Sequence, residues 1–236
     1  MTESHEAKDT AYEINQRNRV KREHHRAHYD YETVHAILDA TPFSHVAYMI
    51  DGQPYCTPKV HWRDGTTLFW HGSSVNRLLK ANGGSAPVCL TVSLLDGLVV
   101  TRSAYHHTAN YRCAMCFGTA RLIEDDDEKA AALDAMVERL YPGRLAGLRP
   151  NTAQEMKATS VVRMEIEDAS AKVRTGGGSN APDELDYPAW SGIIPVKTVI
   201  GHAVPDESNI AEPAMQGIDQ FTVGRSLDDV LAGNAG

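Results

Sequence analysis

Apolar and polar positions alternate with a period near two along most of the first half of the chain, the spacing of half-buried strands. Residues 44–50 (SHVAYMI), 53–62 (QPYCTPKVHW) and 66–71 (TTLFWH) are predicted strands, joined by hairpin turns at Asp51-Gly52 and Asp64-Gly65. Pro54 and Pro58 interrupt the second of these, which points to an edge or a bulge. Residues 86–94 (APVCLTVSL) and 97–102 (GLVVTR) read as two strands around a turn at Asp96-Gly97. Residues 110–123 (NYRCAMCFGTARLI) form a long strand with Gly118 as a bulge, and 160–167 (SVVRMEIE) alternates again.

The helical period appears in three places. Asp30 caps a short helix that buries Tyr31, Val34, Ile37 and Leu38 and ends at Thr41-Pro42. Val75, Leu78 and Leu79 mark a second, stopped by Gly83-Gly84. The third spans 125–141: Leu133, Met136, Val137 and Leu140 share a face, the acidic first turn suits the helix dipole, and Pro142-Gly143 ends it. Many short strands with few helices predict a mainly β, α+β domain, an antiparallel barrel with peripheral helices. The strand–helix alternation that a parallel sheet needs is missing. The domain is expected over 30–200, with residues 1–29 as a mobile N-terminal arm and 201–236 as a polar C-terminal tail.

The 236 residues carry a formal charge of −8, which disfavours nonspecific nucleic-acid binding, because phosphate contacts supply most of that affinity. The basic run 17–27 (RNRVKREHHRA) reads as a solvated arm. No stretch reaches the ~18 apolar residues of a membrane span. The polar first residues lack the apolar core of a secretory signal, so a cytoplasmic protein with four reduced cysteines is expected. Cys113 and Cys116 form a C-x-x-C inside a strand, where residues three apart face opposite ways, so no metal site is expected.

Three segments could carry chemistry. At His71-Gly72-Ser73-Ser74-Val75-Asn76-Arg77 a strand hands over to a helix, where free N–H groups, two hydroxyls and a guanidinium could receive a phosphate. The same spacing also fits Ser73 as a plain helix cap with Arg77 as a surface charge. Residues 96–112 (DGLVVTRSAYHHTANYR) crowd polar and aromatic side chains after an apolar strand. Lys172-Val173-Arg174 and Trp190 could close a pocket late in the chain.

Taken in order, HGSSxxR, DGLVVTRSAYHHTANYR, PGR at 142–144, SAKVR at 170–174 and WSGIIP at 190–195 resemble the flavin-binding split-barrel superfamily of pyridoxamine-phosphate-oxidase-related proteins. The nitroimidazole-resistance (Nim-type) branch is the nearest in pattern. The resemblance implies a homodimer of six-stranded antiparallel split barrels with FMN between the subunits. Gly72, Ser73, Ser74 and Arg77 would hold its phosphate. Tyr55, Cys56, Thr57, Pro58 and Lys59 would run beside the isoalloxazine ring. Asn110, Tyr111 and Arg112 would approach from a neighbouring strand or the partner subunit, Trp190 would form a lid, and His71 would face the cofactor or substrate space. Only Lys59 matches the Arg and Lys pair of the true pyridoxamine-phosphate oxidases, and their arginine-rich C-terminal signature is missing. The expected activity is therefore an FMN-dependent reductase of a small molecule such as a nitroaromatic, with His71 or Tyr105 donating a proton. The alternatives are a flavin- or haem-binding storage or sensor protein without turnover, which a Soret band on haem addition, lost in His71→Ala, would favour, and a pyridoxamine 5′-phosphate oxidase.

Overall fold

The computed structural model describes residues 10–73, 83–210 and 215–234. The strands are β1 (Ala27–His28), β2 (Phe43–Ile50), β3 (Gln53–Asp64), β4 (Thr67–Ser73), β5 (Ser85–Val100), β6 (Thr108–Leu122), β7 (Thr159–Glu165), β8 (Asp168–Arg174) and β9 (Gly192–Pro195). The helices are α1 (Tyr31–Asp39), α2 (Asp126–Leu140), α3 (Ala153–Ala158) and α4 (Leu227–Ala232). The predicted helix at Val75–Leu79 lies outside the described residues.

All strand pairings are antiparallel. The order is β1-β8-β6-β7-β4-β3-β2-β5-β9, and β5 also pairs with β6. Six strands, β2 to β7, thus close a ring, the split barrel expected from the sequence. Two of them are long enough to serve two layers. The first part of β5 pairs with β2 through Cys89–Thr91, and its last residues, Gly97–Val100, pair with β9. β6 pairs with β8 from Tyr111 to Phe117 and with β7 from Ala120 to Leu122.

Gly118 stands where β6 changes partner. It is not a bulge, because the β5–β6 register runs unbroken from Ser85–Arg121 to Leu95–Tyr111. A Cβ there would lie 2.2 Å from the Glu165 carbonyl oxygen and 2.7 Å from Met164 Cγ, so the glycine permits a close backbone approach. The expected turn at Asp96-Gly97 is likewise not a turn. β5 continues through it with one register shift, and the missing Cβ of Gly97 leaves room for Ile193 Cγ2, 3.1 Å away.

Inside the ring, Val46, Leu68, Trp70, Val88, Leu90, Val92, Ala114, Cys116, Val162 and Met164 form the core. α1 adds Val34, Ile37 and Leu38 to it, with Asp30 accepting the Thr33 N–H as N-cap. A smaller cluster on the outer face joins Trp62, Phe69 and Val161 to Ala132, Leu133 and Met136 of α2. Cys116 is fully buried while Cys113, three residues earlier, is half-buried; burial pushes both thiols up.

Residues 10–29, read from the sequence as an arm, lie along the domain. Tyr12 is buried and its hydroxyl meets His35 Nε2 at 2.8 Å. Arg17 pairs with Asp168, and the buried Asn18 amide donates to the Ala169 carbonyl. Beyond residue 200, Val230 and Leu231 of α4 are buried, and Arg139 donates to the Leu231 carbonyl at 2.9 Å. Among the described residues no helix is long and apolar enough to cross a membrane.

Gly118→Ala is expected to destabilise the fold by about 1–3 kcal/mol or more, since the methyl group meets backbone as well as side chain. The midpoint of chemical denaturation measures it; an unchanged midpoint would mean that β6 and β7 need no such close approach.

Candidate functional site

The residues singled out from the sequence fall into two groups on opposite sides of the ring, because β3–β4 and β5–β6 face each other across it. On β3, Tyr55, Thr57 and Lys59 are half-buried while Cys56 and Pro58 are exposed, the alternation of a pleated strand. Register pairs Tyr55 with Tyr48, Thr57 with Val46 and Lys59 with Ser44. The Tyr48 and Tyr55 rings stack at 5.7 Å. Thr57 therefore sits on the face that Val46 turns to the core, and its Oγ1 is buried without a hydrogen-bond partner. An unsatisfied buried hydroxyl costs about 1–3 kcal/mol, so a partner from outside the chain would be stabilising.

Gly72 lies opposite Ser160 near the end of β4. A Cβ on it would meet only Lys59 Nζ, at 3.8 Å. Among the described residues Lys59 forms no ion pair. Backbone without a side chain beside an ammonium group that has no carboxylate partner among the described residues leaves room for an anion. Ser73 ends β4 opposite Thr159. Ser74 and Arg77, expected at the same phosphate, lie outside the described residues.

His71 precedes Gly72 and turns to the other face of β4. It pairs with Val161, and its ring centroid lies 6.2 Å from that of Trp62. Burial, then the nearby Lys59 cation, lowers its pKa, which favours neutral imidazole. Its Nδ1 is buried and has no hydrogen-bond partner. The residue lines a cavity of about 680 Å³ between α2, the turn at Arg144–Gly147 and α3. Leu133, Met136, Val137, Leu145, Leu148 and Met156 supply most of its wall.

The second group lies where β5 and β6 extend beyond the ring. Asn110 is buried and its Oδ1 accepts from Arg174 Nη1; the same guanidinium donates to the Gly176 and Gly177 carbonyls. Tyr111 is half-buried between Leu95 and Arg174 in register. Arg112, expected to approach the cofactor, holds its guanidinium between Asp96 (2.7 Å) and Asp228 (3.0 Å), and these carboxylates push its pKa up. Tyr105 is 86% exposed and in edge contact with His106. Trp190 is also exposed. Its indole covers Gly192, where a Cβ would stand 2.7 Å from Cζ2.

Two features escaped the sequence reading. The first is the cavity beside His71. Its far wall depends on α3, whose capping box of Thr152 and Glu155 is legible as Thr-x-x-Glu, and on Leu145 and Leu148 just before it. The second is a cavity of about 440 Å³ that brings Arg112 and Asp96 to His45, Lys197 and the start of α4. It depends on the tail folding back, for which no spacing in the chain gives a signal.

The model of the pyridoxamine 5′-phosphate oxidase family matches residues 30–173. Among solved structures, the flavocytochrome Anf3 from Azotobacter vinelandii is 45% identical, with a TM-score of 0.82 over 89% of this chain and 98% of its own. The FAD and haem binding protein from Mycobacterium smegmatis is 32% identical, with a TM-score of 0.79 over 86% of this chain and 98% of its own. A 5-nitroimidazole antibiotic resistance protein from Bacteroides thetaiotaomicron shares the fold at 21% identity, with a TM-score of 0.53 over 62% of this chain and 86% of its own. No match is found among the curated proteins.

Arg112→Ala would leave Asp96 and Asp228 facing each other without a cation and free α4 from β6. Partial exposure screens these pairs, so a loss of about 1–2 kcal/mol is expected, together with faster proteolytic cleavage near residue 226. Cleavage at the wild-type rate would show that other contacts hold α4.

Proposed function

The chain belongs to the pyridoxamine 5′-phosphate oxidase family, and from that premise we propose that it is a redox protein that binds both flavin and haem. One observation carries the flavin half. Thr57 Oγ1 is buried without a partner, on the face of the same strand that brings Lys59 Nζ beside the bare backbone of Gly72. Lys59 stands two residues from Thr57, roughly 7 Å along the strand. An apolar, hydrogen-bonding ring edge at Thr57 and an anionic group at Lys59 and Gly72 describe a flavin phosphate ester. Bound flavin would supply the one- and two-electron chemistry, and the chain would supply position and charge.

The reading takes its haem half from the two relatives above 30% identity, described as a flavocytochrome and as a FAD and haem binding protein. FMN and FAD share the phosphate ester that Lys59 would neutralise. The nitroimidazole-resistance protein matches at an identity that carries the fold alone, so the proposal names no nitroaromatic acceptor.

A second copy of the chain completes the flavin site in this reading. Asn110 and Tyr111 ride on the part of β6 that pairs with the end of β5 and with β8, away from the β3–β4 pair that carries Lys59, so a partner's Asn110 and Tyr111 would complete the site. Phe43, Met49, Leu95 and Met115, each 41–52% exposed, lie on the outer faces of the adjacent strands β2, β5 and β6. Such an apolar sheet face is suited to burial against a copy of itself.

The purified protein is expected to show flavin absorbance, and the mass of the released flavin distinguishes FMN from FAD. Lys59→Ala should weaken flavin uptake about 10- to 100-fold, the loss of a charge-assisted contact. Uptake at wild-type affinity in that variant would remove the cradle, and with it the flavin site assigned here.

A further inference from the structure

We propose that the basic turn at residues 19–22, together with Lys172, is a docking surface for an acidic protein that delivers electrons to the chain. Such a partner deepens the reading of the chain as a redox protein, on which it rests, by naming what would supply the electrons.

Residues 17–28 carry five Lys or Arg side chains against one Glu, in a chain whose formal charge is −8. The sequence reads as a solvated arm here, but the fold pins it. Arg17 pairs with Glu167 and Asp168. The Val20 N–H donates to the Tyr29 hydroxyl at 2.9 Å, and Lys172 Nζ donates to the Arg22 carbonyl at 3.2 Å. Glu23 turns the chain at φ 57°, a left-handed conformation uncommon outside glycine, and its carboxylate is taken by Arg26 at 2.8 Å. Ala27 of β1 then pairs with Lys172 of β8. The turn is thus shaped before any partner arrives, which spares docking much of its ordering cost.

Arg19, Lys21 and Arg22 are left exposed, and among the described residues none of them forms an ion pair. Like charges so close on a fixed turn repel one another, and a surface rich in carboxylates would relieve that repulsion. Exposure also decides the size of the ligand. A small anion needs a concave site, and none of these side chains lines the cavities beside His71 or Arg112. A nucleic acid would run past these few cations onto an acidic protein, and few of its phosphates would be neutralised. A compact acidic protein meets the patch alone, and the negative charge elsewhere on the chain turns it away from other faces.

The place of the patch points to electron delivery. Lys172 stands two residues from Arg174 on β8, roughly 7 Å along the strand, and Arg174 donates to Asn110. Asn110 belongs to the extension that the proposed function brings to the flavin of a second copy. A protein seated on Lys172 would stand at the rim of that flavin. Each encounter would pass one electron from the donor, which is oxidised, to the flavin. Two encounters and two protons from water complete the reduction.

The test uses the flavin-loaded full chain and a plant-type two-iron ferredoxin as the acidic one-electron probe. Calorimetry measures binding of the oxidised probe, and anaerobic stopped flow measures flavin bleaching by the reduced probe. Wild type is expected to bind at low ionic strength and to lose at least tenfold in affinity by about 150 mM salt. Lys21→Glu with Arg22→Glu should weaken binding and slow bleaching at least tenfold, with flavin content and circular dichroism unchanged. Arg121→Glu with Lys157→Glu makes the same change in net charge at exposed sites elsewhere, and should cost about twofold at most. Equal losses in the two double variants would overturn the patch, because net charge alone would then account for them. Flavin-loaded wild type that does not bind the probe would overturn the inference and leave the flavin reading standing. Tighter binding of duplex DNA than of the probe would overturn the choice of a protein partner. A chain that takes up no flavin would overturn the redox reading and this inference together.

Discussion

The backbone of β6 comes so near that of β7 at Gly118 that a methyl group would lie 2.2 Å from a carbonyl oxygen. At that residue β6 leaves β8 and takes up β7, so the point of closest approach is also the point where the sheet divides. One branch closes the six-strand ring around Trp70, Leu90 and Met164; the other carries β8 and β1 outward. The same division on β5 carries β9. Long strands shared by two layers make both a filled core and an extension that reaches beyond it, without a second domain.

The positions of the described candidate residues follow from that division. β3 and β4 belong to the ring alone, so Thr57, Lys59 and Gly72 stand on its far side from Asn110 and Tyr111, which ride on the extension. Within β4 the two-residue period separates His71, facing α2, from Gly72, facing Lys59. The strand thus turns His71 toward the cavity beside α2 and Gly72 toward Lys59.

Much of this was legible in the sequence. Alternation located the ring strands, Asp30 and the acidic turn at Asp126 located α1 and α2, and Asp51-Gly52 located the first hairpin with both residues at positive φ. The reading missed where glycine marks closeness rather than a turn or bulge. Gly97 and Gly118 both serve neighbouring strands far away in sequence, Ile193 and Glu165, which local pattern does not report. It missed the packing of Tyr12 and Leu231 because a single large side chain in a polar stretch gives no period. The resemblance set Arg112 near a cofactor; the structure shows its guanidinium held by Asp96 and by Asp228, the latter 116 residues away in sequence. The side of β4 that His71 occupies is implied by alternation with Gly72, but the cavity it enters exists only once α3 folds against α2.

Native mass spectrometry of the protein with its flavin retained tests the central claim, that the two halves of the flavin site meet only when two chains associate. The account predicts flavin on the dimer and a bare monomer once the dimer dissociates. A monomer that keeps stoichiometric flavin would contradict it, because one chain would then hold the cofactor without the extension of another.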